Sequence, residues 1–246
     1  MKNLTLFIDS GIGGLSLLVE VQKLFKGNFL YVADFLNSPY GSKTKSQIKQ
    51  IVLDTLSVLI KSYNPKCVVL ACNTATAACV DEVRKVYPDI FVVGCEPAIK
   101  TALKSGCKSI LVLCTEATKK YSAYLKNFDN ITFCCPKKLS KLIDENYLSK
   151  EEVIKNYLNK VLKKFYGKFD GVVLGCTHYV LFKNYIQNIL GCKVFDGNFG
   201  VSKQILKFIK TKKGSNSLIL VSTNPQKQEF LNSCYKKVKE QNLCVE

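Results

Sequence analysis

Short apolar runs recur along the chain, each closed by a small, polar or cysteine residue and followed by a segment of helical spacing. The runs at 4–8, 29–33, 68–70, 90–93, 109–113, 131–133, 172–174, 193–195 and 218–221 are too short for helices. They are rich in β-branched residues and read as buried strands. Amphipathic segments follow them. One runs to about residue 26, a long one spans 43–63 and stops at Asn64-Pro65, and one reaches Val86 before Tyr87-Pro88. Cys95-Glu96-Pro97 is expected to start another helix, with Pro97 in its first turn. A lysine-rich helical region is expected from Cys134-Cys135-Pro136 to about residue 165, residues 212–216 read as a turn or linker, and a final helix closes the chain. Strand–helix alternation of this kind predicts an α/β fold with mostly parallel sheets.

Two stretches stand out because they repeat one design. Val68-Val69-Leu70-Ala71-Cys72-Asn73-Thr74 and Val172-Val173-Leu174-Gly175-Cys176-Thr177-His178 each run from a strand through a small residue and a cysteine into a helix. Asn73, Thr74 and Thr177 suit a first helical turn, where their side chains are expected to cap free N–H groups. A cysteine at such a junction lies where open α/β sheets bind ligands, and where the helix dipole favours thiolate. Two such units imply two similar doubly wound halves facing each other across a cleft.

Composition sharpens this picture. The chain has 246 residues, enough for one large domain or two small ones, and no apolar run long enough to span a bilayer. Its N-terminus passes from Met1-Lys2-Asn3 into a strand, unlike a signal peptide, so a cytoplasmic location and no membrane partner are expected. Twelve cysteines in such a setting are expected to be reduced. With no Cys-x-x-Cys pair and His178 as the sole histidine, common zinc spacings are missing and no metal site is expected. Cys67, Cys79, Cys95, Cys107, Cys114, Cys134 and Cys192 read as small core residues, and the vicinal Cys134 and Cys135 as unbonded to each other. The net charge of +17 fits an anionic partner, but Arg84 is the only arginine, and phosphate or base recognition favours arginine. A solvated lysine surface is the expected account.

Asp9-Ser10-Gly11-Ile12-Gly13-Gly14 after the first strand lacks the Lys-Ser/Thr of a P-loop and the third glycine of a dinucleotide fingerprint. Its backbone N–H groups suit an anion. Asp9 is either a helix N-cap or a carboxylate that orients or deprotonates a neighbour. Asn37-Ser38-Pro39-Tyr40-Gly41 is a turn-rich loop at the end of the second strand, a natural place for substrate contacts.

Taken together, Asp9–Leu15, Pro39-Tyr40-Gly41, Ala71–Ala77 and Gly175–Tyr179 resemble the glutamate racemases of the aspartate/glutamate racemase superfamily, in the family's order and over most of the chain. The resemblance implies two pseudosymmetric α/β domains with the active site in the cleft between them. The first would comprise residues 1–96 plus 208–246, the final strand and helix folding back onto it, and the second 97–207. It implies a cofactor-independent isomerase that interconverts L- and D-glutamate and supplies D-glutamate for peptidoglycan. Cys72 and Cys176 would be the two bases, with Asp9 and His178 as their proton relays. Asp9, Ser10, Pro39, Tyr40, Gly41, Cys72, Asn73, Thr74, Thr115, Cys176, Thr177 and His178 would contact substrate.

A thiol on each face of a carbon suits racemisation, because one base alone returns the proton to the side it left. The alternatives are an aspartate or other amino-acid racemase on the same scaffold, a Cys–His hydrolase that would leave Cys72 without a role, and a regulatory protein that binds DNA gyrase. A homodimer is in keeping with the resemblance. The chain departs from the family at Cys114 where glycine is usual, at Val180 where proline is usual, and at Gly197 where serine is usual. A glutamate expected after Cys135-Pro136 falls by count on Ile143, beside Asp144 and Glu145.

Overall fold

The computed structural model describes residues 3–208 and 216–243. The chain runs β1 (Leu4–Asp9), α1 (Leu15–Leu24), β2 (Asn28–Ala33), α2 (Lys45–Tyr63), β3 (Cys67–Leu70), α3 (Asn73–Val86) and β4 (Phe91–Gly94). It continues through α4 (Ile99–Lys104), β5 (Ile110–Cys114), α5 (Glu116–Tyr121), β6 (Ile131–Cys134), α6 (Leu139–Asn146), α7 (Glu151–Leu162), β7 (Gly171–Gly175) and α8 (Thr177–Val180). Last come α9 (Lys183–Leu190), β8 (Lys193–Phe195), α10 (Asn198–Phe208), β9 (Ser217–Ser222) and α11 (Gln228–Leu243). The linker expected at 212–216 lies, apart from Asn216, outside the described residues.

Two sheets form, ordered β4-β3-β1-β2-β9 and β6-β5-β7-β8, and every pairing is parallel. Parallel strands buried on both faces need apolar side chains at nearly every position, which is why the strand sequences are runs rather than alternations. In β1, Leu4, Leu6 and Ile8 pack towards α2 and α3, while Phe7 joins a larger core that also takes in Leu111, Val172 and Leu174 of the second sheet. Apolar packing therefore runs through both sheets. β9 adds to the outer edge of β2 in register Ala33↔Ser222, so the first sheet draws strands from both ends of the chain. α11 braces the second half as well, through Lys237 Nζ on Glu151 at 3.0 Å and Gln241 accepting from Tyr147 at 2.7 Å.

Three local expectations are corrected. α4 begins at Ile99, beyond Pro97 rather than around it. Cys95 donates its N–H to Leu70 and its carbonyl accepts from Asn73 Nδ2 at 2.8 Å, so the segment after β4 stays extended past the strand. Asn73, Thr74 and Thr177 do not cap their helices. The N-cap positions of α3 and α8 are Cys72 and Cys176 themselves, without a side-chain cap bond, and the polar side chains that follow point across to other elements. Cys192 is half-buried, whereas the other cysteines expected in the core are buried; all described cysteines are free thiols.

Candidate active site

Because β3 and β7 are the inner strands next to the first strand of each sheet, their C-terminal ends bring Cys72 and Cys176 to one place. A small cavity is lined by Ser10, Ser38, Pro39, Tyr40, Gly41, Cys72, Asn73, Thr74, Thr115, Ser140, Cys176 and His178. All the residues singled out from the sequence are in this lining except Asp9 and Thr177. Those two lie behind it, joined by a 3.0 Å hydrogen bond from Thr177 Oγ1 to Asp9 Oδ2 that links the two halves. The free space is only about 10 Å³, no more than a single water needs. That space is smaller than an amino acid.

The glycine loop after β1 is shaped by close approach. A Cβ on Gly13 would collide with Thr177 Oγ1 and the His178 ring, and one on Gly11 with the Asp144 carboxylate. The loop does serve anions, but the anions are the protein's own: Gly11 N–H donates to Asp9 Oδ1 at 3.0 Å and Ile12 N–H to Asp144 Oδ1 at 3.2 Å. Asp9 is thus not a helix N-cap; the residue at the N-cap of α1 is Gly14. Burial pushes the Asp9 carboxyl up to about 6, against the opposing charge of His178 and the bonds from Gly11 and Thr177.

The surroundings of the thiols differ. Cys72 Sγ lies 3.9 Å from Ser10 Oγ. Burial, reinforced by the negative charge of Asp9, pushes its thiol up to about 12. Cys176 Sγ lies 4.0 Å from His178 Nδ1, and His178 Nε2 is 2.9 Å from Asp144 Oδ1. Burial acts to lower the His178 pKa, but the charge and hydrogen bond of Asp144 outweigh it and hold the imidazole well above its ordinary range. One thiol faces a carboxylate and the other an imidazolium.

Asp144 is the residue that counting along the sequence left unplaced. It is buried and also accepts from Ser38 Oγ at 3.2 Å. Its neighbour Glu145 is turned away, paired with Lys141 on the surface. Asp34 is a second omission. Fully buried at the end of β2, it accepts from Tyr40 O–H at 2.6 Å, from Thr223 at 2.9 Å and from Asn37, and so fixes the Pro39-Tyr40-Gly41 loop. The Ser38–Pro39 peptide in that loop is cis. Thr74, Thr115 and Thr118 form a triangle of hydroxyls, 2.9–3.0 Å apart, between α3 and α5. Gly197 abuts the Glu96 carbonyl, 2.9 Å from where a Cβ would stand, so the hydroxyl usual in the family does not fit there without a shift.

Two thiols at equivalent strand–helix junctions of two parallel α/β sheets thus face one cavity with unlike acid–base partners. A family model described as Asp/Glu/Hydantoin racemase matches residues 27–199. The chain is 37% identical over 219 residues to the glutamate racemase of Clostridium novyi (strain NT), covering 84% of this chain and 83% of that one. The structure superposes on Escherichia coli glutamate racemase in complex with L-glutamate and the activator UDP-MurNAc-ala, with TM-score 0.82, 25% identity, and 97% and 96% of the two chains covered. It also superposes on the glutamate racemase of Francisella tularensis subsp. tularensis SCHU S4 in complex with D-glutamate, with TM-score 0.78, 26% identity, and 98% and 95% covered. The chain belongs to the Asp/Glu/Hydantoin racemase family.

Proposed function

We infer that this protein is a glutamate racemase, interconverting L- and D-glutamate by proton transfer between two thiols without a cofactor. The observation that carries the mechanism is the placement of Cys72 and Cys176, one from each sheet, in the lining of a single cavity. A Cys–His hydrolase would use Cys176 and His178 and leave Cys72 idle. The choice of glutamate rests on the relatives of known activity.

In this reading D-glutamate loses its α-proton to Cys72 as thiolate, and Cys176 as thiol returns a proton to the opposite face. L-glutamate reverses the roles. Asp9 relays protons for Cys72 and His178 for Cys176, with Asp144 orienting His178. Ser10, Asn73, Thr74, Thr115 and Thr177, with the backbone around Pro39, Tyr40 and Gly41, hold the amino and carboxylate groups. Donors fixed in a site without room for water stabilise the carbanion-like intermediate. Residues 1–96 with 208–246 form the first domain and 97–207 the second, and the cavity lies between them. The product supplies peptidoglycan synthesis in the cytoplasm, and the protein works as a homodimer.

The test is α-proton exchange in deuterated water on the reduced protein, with both enantiomers of glutamate and of aspartate. Exchange and inversion of both glutamate enantiomers without added cofactor are expected. Activity confined to aspartate would keep the chemistry and change the substrate, and no exchange with any of the four would overturn the reading.

A further inference from the structure

Cys114 and Cys135 are not used by the mechanism, yet their sulfur atoms lie 3.8 Å apart. Their placement follows from the sheet. β5 and β6 pair in parallel with Leu113 opposite Cys134, so Cys114 faces Cys135 one residue further on. Neighbouring strands are about 4.8 Å apart, inside the span of roughly 4.4–6.8 Å between α-carbons that a disulfide bridges. Cys135 is half-buried and Cys114 buried, an arrangement in which one thiol meets solution and the other waits behind it. A hydrogen bond from Cys114 holds the Cys135 thiol below its ordinary range, against burial, and the Lys119 charge helps. The same bond, together with burial, keeps Cys114 protonated.

We propose that Cys114 and Cys135 form a reversible redox site, oxidised by low-molecular-weight disulfides, that lowers racemisation when bridged. Cys135 as thiolate attacks one sulfur of the small disulfide, whose S–S bond breaks and releases one thiol after protonation. Cys114 then gives up its proton and attacks Cys135 Sγ, breaking the mixed disulfide and releasing the second small thiol. Two protein thiols are oxidised to one disulfide, and one small disulfide is reduced to two thiols.

Both cysteines lead straight into the active site. Cys114 pairs in register with Gly175, the residue before Cys176. It is followed by Thr115, whose hydroxyl is 2.9 Å from that of Thr74. Cys135-Pro136 leads into α6, which carries Asp144 to His178. Closing the sulfur gap from 3.8 Å to about 2.0 Å draws the ends of β5 and β6 together and shifts both attachments. Displacements of this order at a positioned site cost on the order of tenfold to a hundredfold in rate.

The experiment incubates the full-length reduced protein with oxidised glutathione and follows both linkage and activity. Tryptic cleavage at Lys119, Lys120 and Lys126 separates the two cysteines, so unreduced digests read the bond directly. The expected result is a linked peptide pair that is absent in Cys135→Ser, which excludes Cys134 as the partner. Wild-type activity falls by tenfold or more and returns with dithiothreitol. Cys135→Ser and Cys114→Ala keep their reduced-state activity and lose only what modification of Cys72 and Cys176 removes. Absence of the linked peptide overturns the proposal on the wild-type protein alone, whatever the variants do. Equal loss of activity in wild type and both variants overturns its link to catalysis. That link rests on the racemase reading of the site, whereas formation of the bond does not, so the two fail separately.

Discussion

Cys72 and Cys176 occupy the same position in the same strand–helix unit, but their neighbours carry opposite charge. Asp9 works against ionisation of Cys72, whereas Cys176 has beside it His178, held charged by Asp144. A reaction between mirror images is thus run by a site that is not itself mirror-symmetric. The fold supplies matched positions for the thiols, and unlike residues stand near them: Asp9 at the end of β1, and His178 of α8 held by Asp144 of α6.

The comparison breaks most severely if either sulfur is removed. Cys72→Ser and Cys176→Ser are each expected to abolish inversion of both enantiomers, measured by circular dichroism of the product. Full activity in either variant would sink the two-thiol mechanism.

The next test separates the relays. His178→Asn and Asp9→Asn are each expected to cost on the order of 10²–10⁴-fold in kcat/KM. Enantiomers have equal free energies, so the two directions must fall together and kcat/KM cannot reveal which side was damaged. Primary deuterium isotope effects can. With His178→Asn the transfer at Cys176 limits the rate, and the effect grows for α-deuterated L-glutamate and shrinks for the D-enantiomer. Asp9→Asn should do the reverse, and the same pattern in both variants would refute the assignment of sides.

Asp144→Asn keeps the shape and removes the charge that sustains the imidazolium. A loss of roughly tenfold to a hundredfold is expected, as for other carboxylates that orient a histidine. His178, followed by nuclear magnetic resonance, should then titrate at lower pH than in the wild type.

The smallest effect is the acid limb. Asp9 holds its proton up to about pH 6, compared with an ordinary value of 3.8. Relay by Asp9 should therefore fall about tenfold per unit below pH 6, and Asp9→Asn should lack this limb. The folded state binds this proton more tightly than the unfolded chain. The stability it contributes is complete below about pH 4 and is lost as pH rises through 6, which urea titrations at pH 4 and 7 can measure.

What the sequence made legible is what depends on neighbours along the chain. Each cysteine unit is a strand, a small residue and a helix start, so Cys72 and Cys176 could be found from spacing alone. Asp144 could not, because its partners Ile12, Ser38 and His178 come from distant segments. One signal was available. Lys141 and Glu145 have the i, i+4 spacing of a solvent-facing ion pair, which leaves Asp144, on another face of α6, as the acid free to point inward. The helical face, rather than the residue count, distinguishes the two acids. Asp34 gave no such signal: Asn37 and Tyr40 are near it in sequence, but only the fold brings Thr223, 189 residues away, to the same carboxylate. The expected capping by Asn73, Thr74 and Thr177 failed for the same reason: contacts across the fold outbid the local ones.

The brace beneath Tyr40 also bears on what a shortened chain would keep. Thr223 follows β9, and it shares Asp34 with Tyr40. Both thiols, His178 and the whole second sheet precede it in the chain, since β8 ends at Phe195. A chain ending before β9 would hold Cys72, Cys176 and His178, yet lack Thr223, one of the three partners of the Asp34 carboxylate. Removing β9 and Thr223 would therefore leave both thiols in the chain but take away one of the bonds that hold Asp34 beneath Tyr40.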